Sequence, residues 1–157
     1  MQKKSRIFKE NELKKDYTTD YVTSAFCMWA RHNCRSYDEE VAEITKRARS
    51  RAQYADPAKL TAYIDAEIQN KHAELLDIAA CDETFKLLEH SGDEIICKAI
   101  HDIYMVTPYR VPYKREISQR VLRFALNAPA SERTVYRWLR RARRLFCELR
   151  GLRSDER

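Results

Sequence analysis

From Ser131 to about Arg150 the sequence reads SERTVYRWLRRARRLFCELR, a stretch whose residue types and spacing suit chemistry on a polyanion. Val135, Leu139, Ala142, Phe146 and Leu149 fall at steps of four, three, four and three, so a helix here carries one continuous apolar face that must be buried. Trp138 and Leu145 flank that face. Arg133, Tyr136, Arg137, Arg140, Arg141 and Arg144 are left outside it, with Glu132 the only nearby carboxylate. A solvated helix face usually mixes signs through i,i+4 pairs, and this one does not. Each guanidinium can neutralise a phosphate or grip a guanine edge with two N–H groups, so the pattern suits a helix that lies against double-stranded DNA.

The flanking residues extend this reading. Ser131 is the expected N-cap, and a helix start with a small hydroxyl can seat a phosphate on free amides and the helix dipole. Glu132, Arg133, Thr134 and Arg137 occupy the first turns, the part of a recognition helix that reaches base edges. Tyr136 can equally contact sugar-phosphate or pack. A preceding helix, about Lys114 to Leu126, offers Ile117, Val121, Phe124 and Ala125 to hold the arginine helix in place. Lys114, Arg115, Arg120 and Arg123 give that supporting helix backbone contacts of its own. Between the two helices, Asn127-Ala128-Pro129-Ala130 reads as a turn.

The charge balance singles out the same region. The 157 residues carry a net charge of +6. Residues 110–157 hold 14 Arg/Lys against 5 Asp/Glu, or +9, whereas residues 1–109 hold 16 against 19, or −3. Such asymmetry points to a polyanionic partner for the last third. With two glycines and four prolines in a chain that is 44% hydrophobic, turn-rich sheet architectures are disfavoured and an all-α fold is expected.

Other function classes find little support. The five cysteines (Cys27, Cys34, Cys81, Cys97, Cys147) form no C-x-x-C pair, and each falls in a helix-like stretch where small-hydrophobe packing accounts for it. Cys27, His32 and Cys34 match no common zinc spacing, so no metal and no cofactor are expected. His32, His72, His90 and His101 are scattered, and the acidic groups Asp38-Glu39-Glu40 and Asp82-Glu83 sit where helix dipoles explain them. An enzyme is accordingly not expected. No apolar run reaches the roughly 18 residues that span a bilayer, and the charged start MQKKSRIFKENELKKD has no signal-peptide character. A cytoplasmic protein with reduced thiols follows as the expectation.

The elements that must position the arginine helix are read from periodicity and caps. A short charged segment at 5–15 precedes an amphipathic helix over 20–34 with Val22, Phe26, Trp29 and Ala30 on its apolar face. Ser36 and Glu39 form a capping box for a helix to about Ala52, with a thin stripe of Val41, Ile44 and Ala48 and a solvated face of Lys46, Arg47, Arg49 and Arg51. Asp56-Pro57 starts the next helix. Leu60, Ile64, Ile68, Leu75, Ile78 and Leu88 then continue at helical spacing until Ser91-Gly92, either as one long helix or as two with a break near Cys81-Asp82. That segment can pack within the chain or serve as an intermolecular arm. A helix over Asp93–Met105 places Ile95, Ile96, Ala99, Ile100 and Ile103 inward, and the two prolines of TPYRVPY end it. This gives a helical region at 1–91, with a homo-oligomer through its arm one option, and a helix-turn-helix unit at 92–157.

The order EIS…SERTVYRWLRRARRLF resembles the C-terminal helix-turn-helix of sigma-factor region four, and more so the phage late-transcription regulators known as RinA- and ArpU-like proteins. The resemblance covers about residues 85–152, including LLEHSGDEIICKAIHDIYM. It implies a small cytosolic regulator that binds promoter DNA and touches RNA polymerase. The alternatives are a protein-binding adaptor acting on RNA polymerase or a repressor, and a nucleic-acid-processing enzyme.

Overall fold

Helix-favouring composition and strong caps are realised as helices throughout. The computed structural model describes residues 17–152, so the expected segment at 5–15 lies outside the described residues. Among the described residues there are seven α-helices and no strand: α1 (Tyr17–Arg31), α2 (Tyr37–Arg51), α3 (Pro57–Asn70), α4 (His72–His90), α5 (Glu94–Ile100), α6 (Lys114–Asn127) and α7 (Glu132–Arg150). A π-helical turn, His101–Met105, continues α5. Among the described residues no helix is long and apolar enough to cross a membrane.

The local start and stop signals are followed closely. Ser36 Oγ accepts the Glu39 N–H at 3.2 Å while Glu39 Oε1 accepts the Ser36 N–H at 3.4 Å, which completes the capping box of α2. Asp56 Oδ1 accepts the Lys59 N–H at 2.9 Å, with Pro57 in the first turn of α3. Gly92 closes α4 at φ +77°, a left-handed conformation glycine adopts without a Cβ penalty. The chain can then reverse, and Asp93 N–H reaches back to Leu88 O at 2.8 Å.

Four expectations are corrected. The first helix closes at Arg31 rather than Cys34: Asn33 and Cys34 take φ of 56° and 53°, and Cys34 N–H bonds back to Trp29 O at 3.0 Å. Cys34 is therefore exposed, while the other four cysteines are buried. The 57–90 segment breaks at Lys71, not near Cys81-Asp82. Neither glycine nor proline marks that break, and the two helices differ in what they pack on. Helix α3 lies mainly on α2 and has no buried residue, whereas α4 packs on α1, α2, α5 and α7 and buries Leu75, Ile78, Cys81 and Leu88. Ile95, counted as inward, is exposed, because the face of α5 that meets the core is Ile96, Ala99 and Ile100. Leu149, counted on the buried face of α7, is also exposed, and Cys147 is buried nearby. A strict seven-residue register slips by about 20° per heptad on a straight helix, so the last turn of α7 leaves the face that its first turn began.

The core is a single cluster that joins α1 (Val22, Phe26, Trp29), α4 (Ile78, Leu88), α5 and the π turn (Ile96, Ile100, Ile103, Tyr104), α6 (Val121, Phe124) and α7 (Val135, Leu139, Phe146). The turn at Gly92 connects α4 and α5 within that cluster. Its aromatic contacts are tilted or edge-on: Phe26 lies 5.8 Å from Phe146, and Trp29 4.9 Å from Phe85.

Two buried carboxylates, Glu40 and Asp77, stand outside the apolar account, and Glu40 is the deeper. Glu40 on α2 is 1% exposed, and no periodicity argument singles it out. Its carboxylate meets His32 Nδ1 at 3.1 Å and Arg35 Nη1 at 3.2 Å, with Arg47 Nη2 at 3.9 Å. Nε2 of the same His32 meets Glu74 at 3.1 Å, so this chain of contacts joins the end of α1 to α2 and α4. Removing the carboxylate leaves three basic groups that can rehydrate, since their side chains are 19–42% exposed. Glu40→Ala should therefore lower stability by about 1–3 kcal/mol in urea denaturation, while Lys59→Ala, on exposed α3, should stay within about 0.5 kcal/mol. Equal effects would mean that the Glu40 cluster ties nothing together.

Candidate nucleic-acid interface

Helix α7 is held by both its cap and its buried face. Ser131 Oγ accepts the Thr134 N–H at 3.2 Å and lies 3.0 Å from Thr134 Oγ1. Val135, Leu139, Ala142 and Phe146 are all fully buried, against α4, α5 and α6 among others. The connection from α6 is the four residues 128–131, and across it Phe124 and the half-buried Trp138 meet edge-on at 6.5 Å.

The arginines of α7 divide by where their guanidinium groups go. Glu132, Arg133, Tyr136, Arg137 and Arg140 line one open depression of about 590 Å³ on the solvent side of the helix. All five are exposed, and Arg133, Arg137 and Arg140 have no ion-pair partner among the described residues. Arg144 is exposed about one turn further on, and Thr134 is half-buried. Arg141 is exposed but ion-paired, its Nη2 lying 2.9 Å from Asp93 Oδ2. Two further arginines serve the fold: Arg143 Nη1 donates to Tyr104 Oη at 2.8 Å, and Arg150 Nε donates to Asp77 Oδ1 at 2.8 Å.

The basic residues of α6 also separate. Lys114 and Arg115 are exposed in its first turn. Arg120 turns inward, where its guanidinium donates to Ile103 O at 2.8 Å, Thr107 Oγ1 at 3.3 Å and Glu116 Oε2 at 3.1 Å. The reason lies in the π turn, whose last carbonyls lack helical partners. Arg120 satisfies Ile103 O, and the Cys27 thiol satisfies Tyr104 O at 3.0 Å. Arg123 is exposed but lines a separate cleft against α5, away from the depression on α7. An i,i+4 Glu116–Arg120 pair is visible in sequence, whereas the carbonyl that holds Arg120 is not.

The start of α6 is fixed by Glu116. Its carboxylate is paired in a two-toothed contact with Arg110 and accepts the Tyr113 N–H at 3.1 Å, and the Arg110 guanidinium also lies over the Tyr113 ring at 4.6 Å. The Arg110 hydrogen bonds, and then the Tyr113 amide, hold the Glu116 carboxyl down at about 2. In the cysteines the shift runs the other way: burial raises the Cys27 and Cys81 thiols and pushes Cys97 to about 11, so these thiols keep their protons at neutral pH.

The Glu116 shift has a defined pH consequence. A carboxyl depressed in the folded state contributes stability that is complete above its unfolded value of about 4.3 and is lost as pH falls toward 2. The melting temperature of the wild type should therefore exceed that of Glu116→Gln at pH 7, and the gap should close between about pH 4 and pH 2. A gap that is constant with pH would show that the carboxylate charge is not what holds the start of α6.

Compared with protein-family models, with curated proteins and with solved structures, the chain matches none.

Proposed function

We propose that this protein is a sequence-specific DNA-binding regulator of transcription, with α6, the 128–131 connection and α7 acting as a helix-turn-helix of the sigma region-four kind. The observation that carries the reading is the division of α7 into two faces. One face is fully buried at Val135, Leu139, Ala142 and Phe146, while the other presents Arg133, Tyr136, Arg137 and Arg140 around one depression. A helix so anchored offers its guanidinium groups on a rigid support, which lowers the entropic cost of ordering them on a duplex. The short connection and the Phe124–Trp138 contact suit a supporting helix that braces a reading helix.

In this reading Arg133 and Arg137, one turn apart near the helix start, reach base edges together with Glu132 and Thr134. Ser131 lies at the phosphate end, and Arg140, Arg144, Lys114 and Arg115 grip the backbone. Arg120 and Arg123 are assigned no DNA contact, since one is spent on Ile103 and the other faces the α5 cleft. Arg141 contributes only if its bond to Asp93 is exchanged for a phosphate. Contact with RNA polymerase, assembly into a homo-oligomer and a cytoplasmic, phage or prophage setting belong to the same proposal through the resemblance.

Two measurements test it. With about four to six cationic contacts to phosphate, log K should fall with log salt at a slope near −4 to −5, from roughly 0.9 per contact. On a site selected from random duplexes, Arg133→Ala or Arg137→Ala should cost about 1–3 kcal/mol and flatten base preference, whereas Arg144→Ala should weaken selected and random DNA alike. A salt slope near zero removes the electrostatic basis, and full base preference in the Arg133 and Arg137 variants means that α7 is not the reader.

A further inference from the structure

A second concave site lies outside the arginine depression. Between α5, the π turn and the end of α6 is a half-open cleft of about 480 Å³, with Phe124, Ile95, Val106 and Pro129 as its apolar lining. Its size falls within the range of small-molecule sites, roughly 300–1,000 Å³. Phe124 is 8% exposed and forms the floor, while Ile95 and Val106 keep more than a third of their surface open to water at the rim. Large apolar side chains left open around a concavity mark a place where a ligand recovers burial.

The polar groups of the cleft give the sign of that ligand. Lys98 and Arg123 line it from α5 and α6, both are exposed, and neither has an ion-pair partner among the described residues. Arg120 also lines it, with its guanidinium already committed to Ile103 O, Thr107 and Glu116. The one carboxylate of the lining, Asp102, is held by its neighbour His101, whose Nδ1 lies 3.0 Å from Asp102 Oδ1. Asn127 Nδ2 is turned back to Arg123 O at 3.0 Å, so it offers the cleft no free donor in this arrangement. Two cations without an ion-pair partner outnumber the one carboxylate, so the cleft keeps a positive balance over its apolar floor and complements a molecule with a hydrocarbon body and a single anionic head.

We infer that the α5–α6 cleft is a binding site for a small apolar carboxylate, with its chain against Phe124, Ile95 and Val106 and its head between Lys98 and Arg123. The site is independent of the proposed DNA reading, because it shares no lining residue with the depression on α7. It touches the same unit nonetheless, since Ala128 and Pro129 of the connection before α7 form part of its wall.

The test is a titration of the full-length, isotope-labelled protein with octanoate and 4-phenylbutanoate, followed by amide NMR. Octanol and octylammonium serve as the neutral and cationic controls. Both carboxylates should shift the amides of residues 95–106 and 123–129 in a saturable way. Octylammonium should bind at least about ten-fold more weakly, as expected when attraction to two cations becomes repulsion. Lys98→Glu should weaken octanoate by a similar factor, and Ile95→Asp should do so through the apolar half of the site. Both positions are exposed, and amide spectra of the free variants check that each is folded. The inference is overturned if octylammonium binds as well as octanoate, if carboxylates shift only the amides of Arg133, Arg137 and Arg140, or if no cleft amide moves.

Discussion

The structure depends on one constraint: a helix with seven arginines has to bury one side completely. Helix α7 does so because Val135, Leu139, Ala142 and Phe146 supply an uninterrupted apolar line and because every arginine lies off it. That line is the seam at which the rest of the core is assembled. Helices α1, α4, α5 and α6 all pack on α7, so it lies at the centre of the fold as well as at its surface. Losing the apolar seam would remove the support for the arginines and the core together, since burial of such side chains is each worth about 1.5–3 kcal/mol.

Charge is settled along the same helix by partners drawn from distant parts of the chain. Asp77 on α4 is nearly buried, and it accepts the Tyr21 hydroxyl from α1 at 2.7 and 2.9 Å as well as the Arg150 Nε at 2.8 Å. That arrangement ties three helices at one carboxylate. Asp93, just before α5, takes Arg141, and the Tyr104 hydroxyl of the π turn takes Arg143. The excess of +9 in residues 110–157 is therefore not all external field. Part of it is neutralised by carboxylates from the acidic portion of the chain, and among the cations left over Arg133, Arg137 and Arg140 gather around one depression in the first half of α7. Since exposed charges farther apart than about 8–10 Å are screened at ordinary salt, that local concentration matters more than the net charge.

What could be read from the chain followed the range of the interaction that decides it. Caps are settled within four residues, so Ser36, Asp56, Gly92 and Ser131 were legible from sequence and are found in those roles. The buried face of α7 was legible over three turns for the same reason. The break at Lys71 was not, because it is set by α3 and α4 having different packing partners, which local spacing does not encode. Glu40 looked like one more acidic residue in a first helical turn, although the chain places His32, Arg35 and Arg47 around it. Arg120 looked like a surface cation until the π turn left a carbonyl in need of a donor.

The arginines of α7 show why a count of basic residues is a poor guide to an interface. Spaced at 100° per residue, Arg143 and Arg150 lie seven positions apart on one side of the buried seam, and both reach inward to polar partners. Arg133, Arg137, Arg140 and Arg144 run at steps of four, three and four on the opposite side, and all four are exposed. The two rows share a residue type and a helix. The apolar seam alone decides which row faces the protein and which faces solvent. A shift of the seam by one residue would exchange much of the exposed row for the structural one, so the hydrophobic register of α7 also sets its electrostatic face.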